Sequence, residues 1–298
     1  MDRVLVTGGS GFLGKNLKLE KPNWTYISST DCDLTNKSEC DYLIRDIRPD
    51  AIVHLAAKVG GIKANTESPA DFYYINTLMN TNIIHCAYNN KVKRVLSSLS
   101  TCAFPNEVDE YPMTEKNLFD GPPAESNFSY GFSKRGLYVQ TMAYRKQYGV
   151  NYSVFSPSNI YGPHDNFDPV TSHFVPALIR KVARAKNGDK IEVWGSGNPL
   201  RQQLYVTDLA RIIPIMLYKH NSEIPLIISP NENLSIKQMT ETVVKISGKD
   251  LLTFYNGKLD GQYRKDGSNK EMVNLIGEYE FTKFEEGVKK TYEWYTQQ

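Results

Sequence analysis

Short apolar runs alternate with helix-period stretches through the first half of the chain. "RVLVTGGSGFLGKNL" predicts a short buried strand, a glycine-rich turn and the start of a helix. "WTYISS" reads as a second strand. "DLTNKSECDYLIRDIRP" reads as a helix, with Leu43, Ile44 and Ile47 on one face and Pro49 after its end. "AIVHLAA" is continuous in apolar residues, the pattern of a parallel strand covered on both faces. "DFYYINTLMNTNIIHCAYNN" predicts a long helix, "RVLSSLS" a fourth strand, "YGFSKRGLYVQTMAYRKQYG" another long helix, and "NYSVFSPSNIYGP" a fifth strand with its loop. Such alternation predicts an α/β fold built on a parallel sheet. After about residue 160 the pattern loosens. "SHFVPALIRKVARAK" is an amphipathic helix and "KIEVWGSG" a strand with a turn. "QLYVTDLARIIPIMLYK" returns to strand then helix, and "SIKQMTETVVKISG" and "FEEGVKKTYEWYTQQ" read as further helices.

Composition narrows the class. The 298 residues carry a net charge of +2, which argues against disorder and against a nucleic-acid-binding surface. No stretch is apolar enough to cross a membrane, and "MDRVLVTGGSG" lacks a basic region followed by a signal-like apolar run. Cys32, Cys40, Cys86 and Cys102 form no CxxC pair and no metal pattern with histidine. A cytoplasmic, reducing location with no metal is the simplest expectation.

Gly8, Gly9, Gly11 and Gly14, with Ser10, Phe12 and Leu13 among them, follow a strand and open a helix. Glycines there let the backbone approach a pyrophosphate seated on the helix N-terminus. The context predicts a Rossmann-type, doubly wound dinucleotide domain over 1–160, with a return near 198–228. A smaller C-terminal substrate-binding α/β part is expected over 161–197 and 229–298. The second strand ends at Ser28 and Ser29, with Asp31 and Asp33 only in the following turn. With no carboxylate in the usual ribose position, a 2′-phosphate is not repelled and the serine hydroxyls can receive it, which favours NADP(H).

Two stretches carry candidate chemistry. In "NFSYGFSKRG", Tyr130 and Lys134 stand one helical turn apart. A nearby ammonium favours the phenolate, so such a tyrosine exchanges a proton at a carbonyl during hydride transfer. In "SSLSTCAFP", Ser100 and Cys102 are two residues apart, hence on one face if the chain is extended. Ser100 and Tyr130 then polarise one carbonyl oxygen. Taken alone, Cys102 reads first as a small buried hydrophobe, which is what a free cysteine usually is.

These residues carry a resemblance. The chain is similar, nearly end to end, to the extended short-chain dehydrogenase/reductase superfamily and, within it, to the GDP-L-fucose synthase family. The likeness rests on "VTGGSGFLG", "HLAAKVGGI", "LSTCAFP", "YGFSK", "NIYGPHDNF", "HFVPALIRK", "VWGSGNPLRQ", "YVTDLA" and "DGQYRK". It implies 3,5-epimerisation and then NADPH-dependent 4-reduction of GDP-4-keto-6-deoxy-D-mannose to GDP-L-fucose. It implies Cys102 as base and His173 as acid, protonated His173 lending the charge that makes the thiol basic. His164 is the rival histidine, read as loop-structuring. The resemblance also implies cofactor contacts from Asp33, Leu34, Leu55, Ala56, Ala57, Pro157, Ser158, Asn159, Ile160 and His173. Substrate contacts fall to Lys181, Trp194, Arg201 and Asp260, with Arg201 suited to a diphosphate. Asn76 is expected to support Lys134 through water, and a homodimer is implied through the long helices.

The first helix and its loop, "GKNLKLEKPNWTY", look shorter than is usual in the family. A 4,6-dehydratase would place an Asp-Glu pair where Thr101 and Cys102 stand, and a UDP-hexose 4-epimerase would carry an acid at the end of the second strand. A dinucleotide-sensing binding protein could dispense with the Tyr-Lys pair and Cys102.

Overall fold

The computed structural model describes residues 1, 3–169, 171–258, 260 and 262–298. Its first half runs β1 (Val4–Thr7), α1 (Phe12–Glu20), β2 (Thr25–Ile27), α2 (Lys37–Ile47), β3 (Ala51–His54), α3 (Ile62–Glu67), α4 (Pro69–Asn89), β4 (Arg94–Ser98), α5 (Phe128–Tyr148) and β5 (Asn151–Pro157). There follow β6 (Asn159–Tyr161), α6 (Phe174–Arg184), β7 (Lys190–Val193), β8 (Leu200–Tyr205), α7 (Val206–Lys219) and β9 (Leu226–Ile228). The chain ends with β10 (Asn233–Ser235), α8 (Ile236–Ser247), β11 (Leu252–Tyr255), β12 (Arg264–Lys265), α9 (Lys270–Ile276) and α10 (Phe284–Thr296).

Six parallel strands form the main sheet in the order β2-β1-β3-β4-β5-β9. The continuous apolar runs follow from two-sided burial. Val4 and Val6 of β1 enter one core with α1 and α7, while Leu5 between them enters the other with α2, α4 and α5. The order reverses at β1, so a crevice opens beyond the ends of β1 and β3, where doubly wound sheets bind ligands.

The fifth strand departs from the sequence reading. It breaks at Ser158, whose N–H donates to Ile228 O at 2.9 Å. β5 stays in the main sheet, while β6 pairs with β8 in a smaller sheet that also holds β10 and β12. The chain therefore rejoins the main sheet through α7 and β9, not through β8. α6, α8 and α10 build a third core around Ile179, Met239 and Phe284. Among the described residues no helix is long and apolar enough to cross a membrane.

Candidate active site

The glycine turn has the shape a pyrophosphate needs. Gly8 lies at φ 74°, and a Cβ there would meet Ala56 N at 2.8 Å, so only glycine fits between β1 and β3. Gly11 precedes α1 as its cap residue, with no side-chain cap and no acidic residue in the first turn, leaving the N-terminal amides open to an anion. Leu13 is built into the core, Phe12 packs on it, and Ser10 is exposed at the mouth. Leu55 N donates to Thr7 O and Ala56 N to Thr7 Oγ1 at 3.3 Å, so the segment leading to Ala57 is held over the crevice. Across it, Ser158 Oγ is buried with no partner among the described residues, a polar group available to a carboxamide between Pro157 and the pair Asn159 and Ile160. These features fit a dinucleotide.

The end of β2 requires a correction. Asp31 folds back so that its Oδ2 accepts from Ser28 N and Ser28 Oγ, each at 2.7 Å. These two bonds hold the Asp31 carboxyl below the usual range. A carboxylate therefore stands beside Ser28 and Ser29 after all; the turn delivers what the strand lacks. Asp33 caps its own turn through Thr35 N and Oγ1, and the Leu34 side chain is buried in the core.

Beyond β4 the chain stays extended through Ser100 and then turns. Ser100 caps a short 3₁₀ turn, Thr101–Ala103, and its Oγ accepts from Cys102 N at 3.1 Å. The shared face of Ser100 and Cys102 thus comes from a cap, not from strand alternation, and the bond leaves the Ser100 hydrogen free to donate elsewhere. Ser100 also lies close enough to Tyr130 on α5 to pull that phenol's pKa down.

Lys265 Nζ lies 3.2 Å from Cys102 Sγ. Burial pushes the Cys102 thiol up, but the Lys265 charge and hydrogen bonds from Ser100, Lys265 and Asn127 outweigh it, so the thiol ends below its ordinary range. Lys265 sits in the quoted "DGQYRK", but sequence offers no signal that it meets a residue 163 positions earlier. Asn127, just before α5, is likewise missed.

The charge beside the thiol is not that of His173. This residue is the N-cap of α6. Its ring reaches water, yet the protein around it still lowers its pKa, through burial first and Lys265 second. Neutral imidazole is thereby favoured. His164 packs edge-on to Trp294, with ring centroids 4.9 Å apart.

Tyr130 also departs from expectation. Lys134 Nζ lies 5.8 Å from the Tyr130 ring centroid and donates to Ser98 O at 2.8 Å. Burial, with the Cys102 charge, raises the phenol above its usual value despite the Ser100 side chain. Lys134 itself is pushed down to about 8 by burial. The Asn76 amide donates to Lys58 O and Phe72 O and accepts from Lys58 N, clamping that loop. Asn80 bonds His54 at 3.1 Å and, on the helix that carries Lys134, Ser133 O at 3.3 Å.

The second part contributes the remaining candidates. Arg201 is paired with Lys265 in the β8–β12 register, and burial lowers its pKa while Cys102, Tyr111 and Asp260 oppose that. It belongs to the thiol's surroundings. Asp260 accepts from Ser196 N at 2.8 Å and Ser196 Oγ at 2.6 Å, closing the turn after Trp194, which is 76 % exposed. Lys181 Nζ donates to Glu192 O at 2.6 Å. Asp260 also feels the Arg201 charge.

Comparisons with known proteins agree with this geometry. The pattern of the NAD dependent epimerase/dehydratase family matches residues 4–228. A GDP-L-fucose synthase of Dictyostelium discoideum is 36% identical over 98% of this chain and 94% of its own length. That of Escherichia coli is 33% identical over 98% of this chain and 96% of its own. The structure of a GDP-L-fucose synthetase from Naegleria fowleri bound to NADP superposes with a TM-score of 0.92 at 36% identity, covering 99% of this chain and 93% of that one. With likeness of this extent in sequence and fold alike, the chain belongs to the GDP-L-fucose synthase family, within the NAD dependent epimerase/dehydratases.

Proposed function

We propose that this chain converts GDP-4-keto-6-deoxy-D-mannose to GDP-L-fucose by 3,5-epimerisation followed by NADPH-dependent 4-reduction. The single observation that carries the reading is a thiol paired with an ammonium, Cys102 with Lys265, directly beside the Ser100–Tyr130 hydroxyl pair. A plain ketoreductase needs only the hydroxyls.

Ser100 and Tyr130 donate to the C4 ketone oxygen, which acidifies the protons on both neighbouring carbons. Cys102 removes such a proton as thiolate, and His173, neutral at rest, takes a proton from the water it reaches and returns it to the other face. When bound, the dinucleotide supplies the hydride for C4. Tyr130, kept a phenol by its surroundings, then gives its proton to the oxygen, and Lys134 supports the phenolate left behind. Arg201, with Lys181, Trp194 and Asp260, receives the GDP diphosphate and sugar. NADP(H) as the dinucleotide is supported by the Naegleria relative that carries NADP. The absence of a carboxylate no longer supports it, since Asp31 supplies one. We propose a homodimer through α4 and α5, whose Tyr73, Tyr74 and Val139 are exposed.

The test is turnover of GDP-4-keto-6-deoxy-D-mannose with NADPH in D2O, followed by NMR of the product. Deuterium at C3 and C5 with NADPH consumed is the expected result, and Cys102→Ala should lose the deuterium while retaining some direct reduction. NADPH consumption without deuterium in the unaltered protein would reduce the reading to a simple ketoreductase.

A further inference from the structure

We propose that Lys265 is a positioning residue that keeps Cys102 in its thiolate form, so that the base exists as a preformed sulfur–ammonium pair before substrate arrives. This rests on the reading of Cys102 as the base. Three observations support it. Lys265 Nζ is aimed at sulfur, 3.2 Å away. Its neighbour Arg264 takes the Asp266 carboxylate, with Nε–Oδ1 at 2.5 Å, and among the described residues Lys265 itself forms no ion pair with a carboxylate. The β8–β12 pairing fixes Lys265 beside Arg201, a rigid placement from two strands of the smaller sheet.

The groups facing the thiol divide by sign. Lys265 on β12 and Arg201 on β8 favour the thiolate, as do hydrogen bonds from Ser100 and from Asn127 before α5. Burial opposes it, and Tyr130 on α5 would oppose it only as phenolate, a form its raised pKa excludes near neutrality. His173 at the start of α6 feels Lys265 as a repelling charge and is favoured as neutral imidazole, so it adds little positive charge. Lys265 is therefore the close cation that counts.

The pair also explains how one thiol serves two carbons. In the abstraction the C–H bond breaks, an S–H bond forms, and the electron pair moves onto the ketone oxygen held by Ser100 and Tyr130. The new thiol then faces an ammonium without its anion, which makes its proton acidic. That proton passes to water, and the pair is restored for the second carbon.

The test is the pH dependence of Cys102 alkylation by iodoacetamide, read by mass spectrometry on the protein without substrate or cofactor, with Cys102→Ser as blank. Unaltered protein should titrate well below the ordinary thiol value of about 8.5. Lys265→Met should raise the midpoint by about one to two pH units, slowing alkylation at pH 7 by up to about ten- to a hundred-fold. Lys265→Arg should restore most of the rate, which a purely structural role would not require. If Lys265→Met does not fold, Lys265→Gln serves the same comparison. An unmoved midpoint in the neutral variant overturns the proposal. Protein that makes GDP-L-fucose with an ordinary thiol midpoint overturns the pair and keeps the function; a low midpoint without product does the reverse.

Discussion

At the end of β2 a single carboxylate is folded back onto the strand. Asp31 Oδ2 is held against Ser28 by two hydrogen bonds, which sets a carboxylate at the end of β2, the strand end that commonly meets the adenosine ribose in this fold class. Removing the charge while keeping the shape should favour the phosphorylated cofactor. Asp31→Asn should raise the ratio of kcat/KM for NADPH over NADH by a few-fold, since an exposed charge is strongly screened. Steady-state rates with both cofactors check this, and an unchanged ratio would place the adenosine ribose elsewhere. The sequence shows Asp31 but not its orientation, because a turn of three residues can point a side chain either way. Lys265 teaches the same lesson over a longer span: its chemistry depends on a partner that only tertiary contact supplies.

Between elements, buried polar bonds do the joining. His54 at the end of β3 contacts Thr7 Oγ1 of β1 at 2.8 Å and Asn80 of α4 at 3.1 Å, and burial lowers its pKa to about 3, with Lys134 adding to the shift. The folded protein keeps this histidine neutral, while the unfolded chain protonates it near 6.5. Between those values the unfolded state binds more protons, so stability rises with pH through that window and is lost as pH falls through it. His54→Gln, which retains a donor and an acceptor, should flatten the acid limb by up to about 1.4 kcal/mol per pH unit. Urea unfolding at pH 7, 6 and 5 measures the slope, and an unchanged slope would show that His54 is not held neutral. The strands and long helices themselves were legible from periodicity, because two-sided burial imposes continuous apolar runs. The break at Ser158 was not, since a run that changes sheets looks the same as one that does not.

For the whole molecule, the two parts meet at the active site. β4 and α5 bring Ser100, Cys102, Tyr130 and Lys134, while β8, β12 and the start of α6 bring Arg201, Lys265 and His173. An exposed Val139 on α5, 53 % accessible, lies on the face proposed to pair with a second copy. Val139→Glu would bury a charge in that interface and should shift the protein from dimer to monomer in sedimentation at micromolar concentration. A dimer that survives the change would move the interface off this face.

The sequence by itself determined the glycine turn, the parallel sheet and the one-turn spacing of Tyr130 and Lys134 on a helix, because each is carried by local spacing and periodic burial. Only the tertiary structure decided the protonation states and the charges that set them: a lysine at the thiol, a neutral histidine, a raised phenol and a returned carboxylate. Those depend on desolvation and on partners distant in the chain, which spacing alone does not encode.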